Sequence, residues 1–276
     1  MNYTLLAIPL FLFMGLMLER SGIAERLYEA LYLWLGGMKG GLAVVTVLLG
    51  TILAACVGII AASVSMLALV ALPSMVKRGY SKDLASGSVC AGGTLGILIP
   101  PSIMLLIYGP MAGLSVGKLF FGAFMPGLHL SALYMTYIVD HCLFHPEKGP
   151  PVSPEERAVP FLKKTRMLIS ALVPTAVVVM SVLGVIYLGI AAPTEAAGAG
   201  ALATTLLVIG YRRFSWQVLK EVTLETLRLS GFIFLIVAMA FVFVGVFLGA
   251  KSGDVVVDLI LATPGCKWAV FGVIMF

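Results

Sequence analysis

Apolar runs close to the length of a bilayer crossing recur through this sequence, separated by short polar loops. A helix needs roughly 20 mostly apolar residues to cross the hydrocarbon core. Runs near that size cover 4–18, 119–143, 167–188 and 232–248, while 41–75 is one apolar block too long for a single crossing. A chain so patterned reads as an all-α, polytopic membrane protein, since each crossing must satisfy its own backbone groups in lipid. Of its 276 residues 61% are hydrophobic and 11% charged, with mean hydropathy +1.08, too little charge for a soluble surface.

The net charge of +5 does not indicate a nucleic-acid partner, because the basic residues sit between apolar segments. Arg20, Arg26 and Lys39 precede the 41–75 block; Lys77, Arg78 and Lys82 follow it. Lys163, Lys164 and Arg166 come two crossings later, and Arg212 and Arg213 two after that. If 41–75 enters and returns as a hairpin, every basic loop falls on one face, which the positive-inside rule makes cytoplasmic. Lys118 alone dissents. The hairpin tip falls in "AACVGIIAASVS", near Gly58, Ser63 and Ser65.

Two stretches are amphipathic. In 21–36 the apolar residues Ile23, Leu27, Leu31 and Leu35 share one helical face, and 214–229 reads similarly. Both fit helices lying at the membrane interface, or packed between domains. Pro9 is expected to kink the first crossing. Cys56, Cys90, Cys142 and Cys266 are far apart and form no CxxC pair, so disulfide and metal readings have little support. His141 and His145 lie four apart at a helix end running into Pro146, which fits an interfacial loop. The Pro-rich segment 145–164 is the one clearly polar linker, and no removable signal is legible at the start.

The segment "CAGGTLGILIPPSIMLLIYGP", 90–110, is apolar enough for the bilayer yet carries Gly92, Gly93, Thr94 and Gly96, then Pro100, Pro101 and Ser102. Proline inside a helix costs about 3 kcal/mol or more, and in lipid the freed carbonyls have no water. Two half-helices resolve the conflict. The first is expected over 83–91, ending at the glycine pair, and the second starting at the proline pair. The first half then presents carbonyls to a cation, with sodium expected at Gly92, Gly93 and Thr94. The second presents N–H groups to an anion such as a carboxylate. Close helix packing is the plainer reading of the small residues. In "APTEAAGAG", 192–200, Pro193 starts a helix and Glu195 sits in its first turn. Thr194 and Glu195 are secondary candidates; a surface helix terminus reads equally well.

These residues carry a resemblance. "AGGTLGILIPPSIMLLIYG", "GKLFFGAFMPG" and "APTEAAGAGAL", with "LAIPLFLFMGLMLERSGIAERLYEAL" near the start, resemble the large membrane subunit (DctM-like) of tripartite ATP-independent periplasmic (TRAP) transporters. The likeness covers essentially the whole chain. It implies an elevator-type, sodium-driven importer of organic acids in the bacterial inner membrane, built from two inverted repeats. Its implied partners are a periplasmic solute-binding protein and a small membrane subunit. Its implied site combines the tip residues Gly58, Ser63 and Ser65 with the broken helix from Gly92 to Ser102. The tip reads "CVGIIAAS" where many members are serine-rich, which puts a tip ligand in question.

On that basis the expected divisions are 1–40, scaffold span and arm; 41–112, transport hairpin and broken helix; 113–166, span and polar loop. Then come 167–230, scaffold spans and second arm, and 231–276, the start of a second transport repeat. The second broken helix is expected beyond 276 and the first spans before residue 1, so the chain reads as truncated at both ends. Rival readings are an ion-coupled carboxylate carrier without a binding protein, a non-transporting remnant, and a membrane-embedded enzyme. The last is weak, for no GxSxG or HExxH motif occurs.

Overall fold

The computed structural model describes residues 3–153, 159–261 and 270–272, and every described regular element is helical. Cys266 and 154–158 of the expected linker lie outside the described residues. The chain divides into two units, 1–227 and 228–276.

In the first unit, α1 (Ala7–Arg20) and α2 (Ile23–Leu35) meet at a bend of 59°. Pro9 causes no kink. It sits in the first turn of α1, where a missing N–H costs nothing. The turn falls instead at Ser21–Gly22, where Gly22 has φ 71° and Ser21 Oγ accepts from Ile23 N–H. Ile23, Leu27 and Leu31 of α2 are buried, as the 3.6-residue period requires.

Next, α3 (Gly41–Val57) and α4 (Ile60–Lys77) form the hairpin, joined by two residues. Gly58 closes α3 at φ 66° and Ile59 is extended. Nearly all of α3 is buried, which makes it the pillar of the unit. Glycines let neighbouring backbones reach it. A Cβ on Gly50 would lie 2.6 Å from Gly92 O, and one on Gly92 3.1 Å from Thr46 O. The base of the hairpin is tied to loops: Leu42 N–H donates to Tyr80 Oη at 3.1 Å, and Gly40 N–H to Gly149 O at 2.8 Å. Burial pushes the Tyr80 phenol up to about 12, so it stays neutral.

The following span is interrupted: α5 (Lys82–Leu98), a four-residue connector, then α6 (Ile103–Met111). The sequence placed the end of the first half at residue 91, and that boundary is corrected. Helix α5 winds through Gly92–Gly93 to Leu98, because a glycine costs only about 1 kcal/mol in a helix interior. Nor do the prolines open α6. Pro100 and Pro101, joined by a cis bond, sit in the connector, and Ser102 is the N-cap. The two halves still run as one 30-residue apolar span.

Helices α7 (Val116–Phe144) and α8 (Phe161–Val179) follow, the latter passing through a π segment (Met180–Gly184) into α9 (Val185–Tyr187). His141 lies in the last turn of α7 and His145 at its cap. Helix α10 (Pro193–Gly210) packs on α1, with a Cβ on Gly200 placed 2.5 Å from Met14 Sδ. The second arm and the crossing after it, expected as separate elements, form one helix, α11 (Trp216–Gly249). Gly231 alone separates them in sequence, too weak a breaker to stop a helix. In the second unit, α12 (Ser252–Leu261) follows. Among the described residues, five helices can cross a membrane by length and composition, or six if the bent α1–α2 pair is one span. Their outward faces carry large exposed apolar side chains, Phe121 and Met125 of α7 and Val177 of α8 among them, as lipid contact requires. The chain is a multi-pass membrane protein.

Candidate functional site

The connector between α5 and α6 is fixed by what proline lacks. In a continuous helix Gly96 O and Ile97 O would accept from the N–H groups of residues 100 and 101. Both are proline, so neither bond can form. Ile99 and Ser102 are extended (φ −81°, ψ 124° and φ −110°, ψ 125°), which carries the chain straight across the gap. Past the gap, Ser102 Oγ accepts from Leu105 N–H at 3.5 Å and Ser102 O from Leu106 N–H at 3.0 Å. The N–H groups of Ile103 and Met104 are then left without a partner among the described residues.

The hairpin tip lies against this gap. A Cβ on Gly96 would stand 3.0 Å from Ser63 Oγ and 3.6 Å from Ile59 O; one on Gly58 would stand 2.7 Å from Pro101 O. At Gly58, where φ is 66° and the contact is to backbone, only glycine allows the approach; at Gly96 a Cβ would press on the Ser63 hydroxyl. Ser63 is 2% exposed and its hydroxyl has no hydrogen-bond partner among the described residues. A buried hydroxyl without a partner costs about 1–3 kcal/mol. The hairpin tip and the gap thus bring the Ser63 hydroxyl against Gly96 and the Pro101 carbonyl against Gly58, while the Gly96 and Ile97 carbonyls are deprived of their helical donors. Such uncharged oxygens suit a hard cation. Among the described residues no group of three or more His, Cys, Asp or Glu could hold a metal ion.

The other expected residues separate. Gly92 and Gly93 lie inside α5 and serve contact, Gly92 with α3 and Gly93 with Val64 of α4. Thr94 is exposed and donates to Ala91 O of its own helix at 2.8 Å. Ser65 is exposed on α4. Thr194 and Glu195 open α10, where a Glu195 carboxylate oxygen accepts from Ala192 N–H at 3.1 Å, a capping role. Thus Gly58, Ser63, Gly96, Pro100, Pro101 and Ser102 come together at the tip and the gap. Ile59, Ile97, Ile103 and Met104 join them through backbone groups, which side-chain motifs do not reveal. The doubled proline was the available signal, since it names the two carbonyls that lose their donors.

Comparison with known proteins supplies a second line of argument. The whole chain, residues 1–276, matches the family described as tripartite ATP-independent periplasmic transporter, DctM component. It is 36% identical over 245 residues to the C4-dicarboxylate TRAP transporter large permease protein DctM of Pseudomonas aeruginosa, covering 88% of this chain and 55% of that protein. It is 31% identical to the isethionate TRAP transporter permease protein DctMQ of Oleidesulfovibrio alaskensis, covering 88% of this chain and 37% of that one. The ectoine TRAP transporter large permease protein TeaC of Halomonas elongata is also 31% identical, over 86% of this chain and 54% of its own length. The chain spans about half the length of the first and third of these relatives, 55% and 54%, and 37% of the second.

Proposed function

We propose, from the premise that the chain belongs to the DctM component family of tripartite ATP-independent periplasmic transporters, that it contributes one half-site of a sodium-coupled importer of small organic acids. The membrane-embedded enzyme reading falls away with that membership. One observation carries the reading: two prolines strip the donors from Gly96 O and Ile97 O, and Gly96 packs against a buried Ser63 hydroxyl that has no partner among the described residues. These oxygens, with Pro101 O, are the proposed sodium ligands, in place of the set Gly92, Gly93 and Thr94. The N–H groups of Ile103 and Met104, at the positive end of α6, are the proposed contacts for a carboxylate.

Coupling follows from placement. A cation at the carboxyl end of α5 and an anion at the amino end of α6 share a four-residue gap, so each lowers the cost of placing the other. Broken helices hold substrate anions and coupling ions this way in many secondary transporters. The named relatives handle C4-dicarboxylates, isethionate and ectoine, so the substrate class here is a small organic acid or zwitterion. The tripartite family implies a periplasmic binding protein that delivers it and a small membrane subunit beside the permease. The setting is the bacterial inner membrane, with the basic loops in the cytoplasm. In the elevator scheme 41–112 carries ion and acid, 1–40 and 167–230 form the scaffold, and the arms brace one against the other. Residues 113–166 connect these, and 231–276 begin the second transport repeat.

The test grafts residues 41–112 into the full-length Pseudomonas aeruginosa permease expressed with its partners. Sodium-driven uptake is expected in the graft and lost when Pro100 and Pro101 become alanine. Uptake that survives intact with both prolines replaced overturns the broken-helix reading.

A further inference from the structure

A second feature lies away from the gap. An apolar groove of about 580 Å³ runs between α8 and α10, lined by Val173 and Val177 on one side and Ala203, Leu207 and Gly210 on the other. Helical spacing explains it. Residues 203, 207 and 210 share one face of α10, and alanine and glycine hollow that face. On α8, Arg166, Ser170, Val173 and Val177 share an exposed face, all at steps of three or four. From Arg166 to Val177 is eleven residues, about 16 Å of helix. That matches one leaflet, half of the roughly 30 Å hydrocarbon core.

One end of the groove is cationic. Tyr211 closes it there, donating its hydroxyl to Ser170 O at 3.3 Å, and Arg26 of α2 stacks on the Tyr211 ring at 4.4 Å. Arg212 follows Tyr211 directly and is exposed, with φ 56° turning the chain out of α10. Arg166 stands one turn beyond Ser170 on the same end of α8. Among the described residues none of these three arginines is within ion-pair distance of a carboxylate. The acidic residues of α2 are aimed elsewhere, Glu25 and Glu29 lining a separate cavity with Arg78, the cap that follows α4. Arg20 takes Glu221 and Glu225. Cations unopposed at the end of an apolar groove one leaflet deep, with a phenol at the level of the headgroups, make an amphiphilic surface of defined polarity.

We propose that this groove binds an anionic phospholipid, an acyl chain lying between α8 and α10 and the phosphate held by Arg26, Arg166 and Arg212. Basic pockets between membrane helices take anionic headgroups by this charge matching. The groove lining ends within one leaflet, the reach of an acyl chain rather than of a crossing helix. The site is independent of the sodium reading, and its test does not involve transport.

The experiment is native mass spectrometry of the delipidated chain titrated with phosphatidylglycerol or phosphatidylcholine. Phosphatidylglycerol is expected to be retained preferentially. Arg166→Gln with Arg212→Asn, exposed positions where asparagine tolerates a positive φ, should weaken it about fivefold per charge removed and leave phosphatidylcholine unaffected. Gly210→Leu should fill the groove and displace both lipids. A Cβ there meets nothing within 4 Å, and a circular dichroism melt checks that the variant is folded. Equal retention of the two lipids, or unchanged phosphatidylglycerol binding in either variant, overturns the proposal. So does a cysteine at Val177 that cross-links in native membranes to a protein helix instead of staying lipid-exposed.

Discussion

Within one 30-residue span, a glycine pair and a proline pair lie seven residues apart and do opposite things. Gly92–Gly93 leaves the helix intact and brings it against α3 and α4; Pro100–Pro101 interrupts it. Glycine only lowers the gain from winding, and in lipid, where no water competes for backbone groups, the helix absorbs that loss. Proline removes the donor itself, and nothing in the helix can restore it. Small residues in a membrane helix thus signal proximity, whereas doubled prolines signal exposed carbonyls. The two motifs, adjacent in sequence, belong to different layers of the design: one builds the packing that holds the hairpin tip in place, the other makes the site it covers.

The contrast can be broken at several points. The largest effect belongs to the prolines: Pro100→Ala with Pro101→Ala should restore the Gly96 and Ile97 bonds and abolish sodium-driven uptake in the grafted permease. The protein should remain folded, as a circular dichroism melt checks. Next comes Gly93→Leu, whose side chain would run into Val64 of α4. It should cost about 1–3 kcal/mol or more by thermal unfolding in detergent. Gly87→Ala on the same helix is its control. No atom lies within 4 Å of a Cβ there, so stability should rise by about 0.5–1 kcal/mol. Equal costs at the two positions would defeat the packing account.

Ser63→Ala should move stability the other way. Without sodium, removal of a buried hydroxyl that has no partner should stabilise the chain by about 1 kcal/mol. Destabilisation of that size would mean the hydroxyl is already satisfied. Smallest is Glu195→Gln, which weakens the charge at the start of α10 and should cost about 0.3–1 kcal/mol with no change in sodium response. A loss of sodium response there would move Glu195 from cap to site.

Much of this was legible in the sequence. The hairpin, the α10 start at Pro193, the α2 face through Ile23, Leu27 and Leu31, and the interruption within 90–110 all follow from local pattern. The boundaries at 91 and 100 did not, because sequence reading treats glycine and proline as equal punctuation and lipid does not. The bend at Ser21–Gly22 was hidden by the more conspicuous Pro9, harmless in a first turn. The fusion of the second arm with the next crossing was hidden by Gly231, which reads as a stop and is not one. Of the candidate site, glycines, prolines and serines could be named, but not that Ser63 faces Gly96 while Ser65 faces outward. That choice depends on how α4 is rotated against α5, set by the contact of Gly93 with Val64 far along the chain.

The most direct test of the cation site is the unfolding temperature of the purified chain in sodium against potassium at matched ionic strength. A ligand that binds only the folded state stabilises it by RT ln(1 + [L]/Kd). Sodium should raise the midpoint saturably, potassium should not, and Ser63→Ala should remove the difference. Identical midpoints in the two salts, or an undiminished sodium effect in Ser63→Ala, would contradict a sodium site at the hairpin tip and the proline gap.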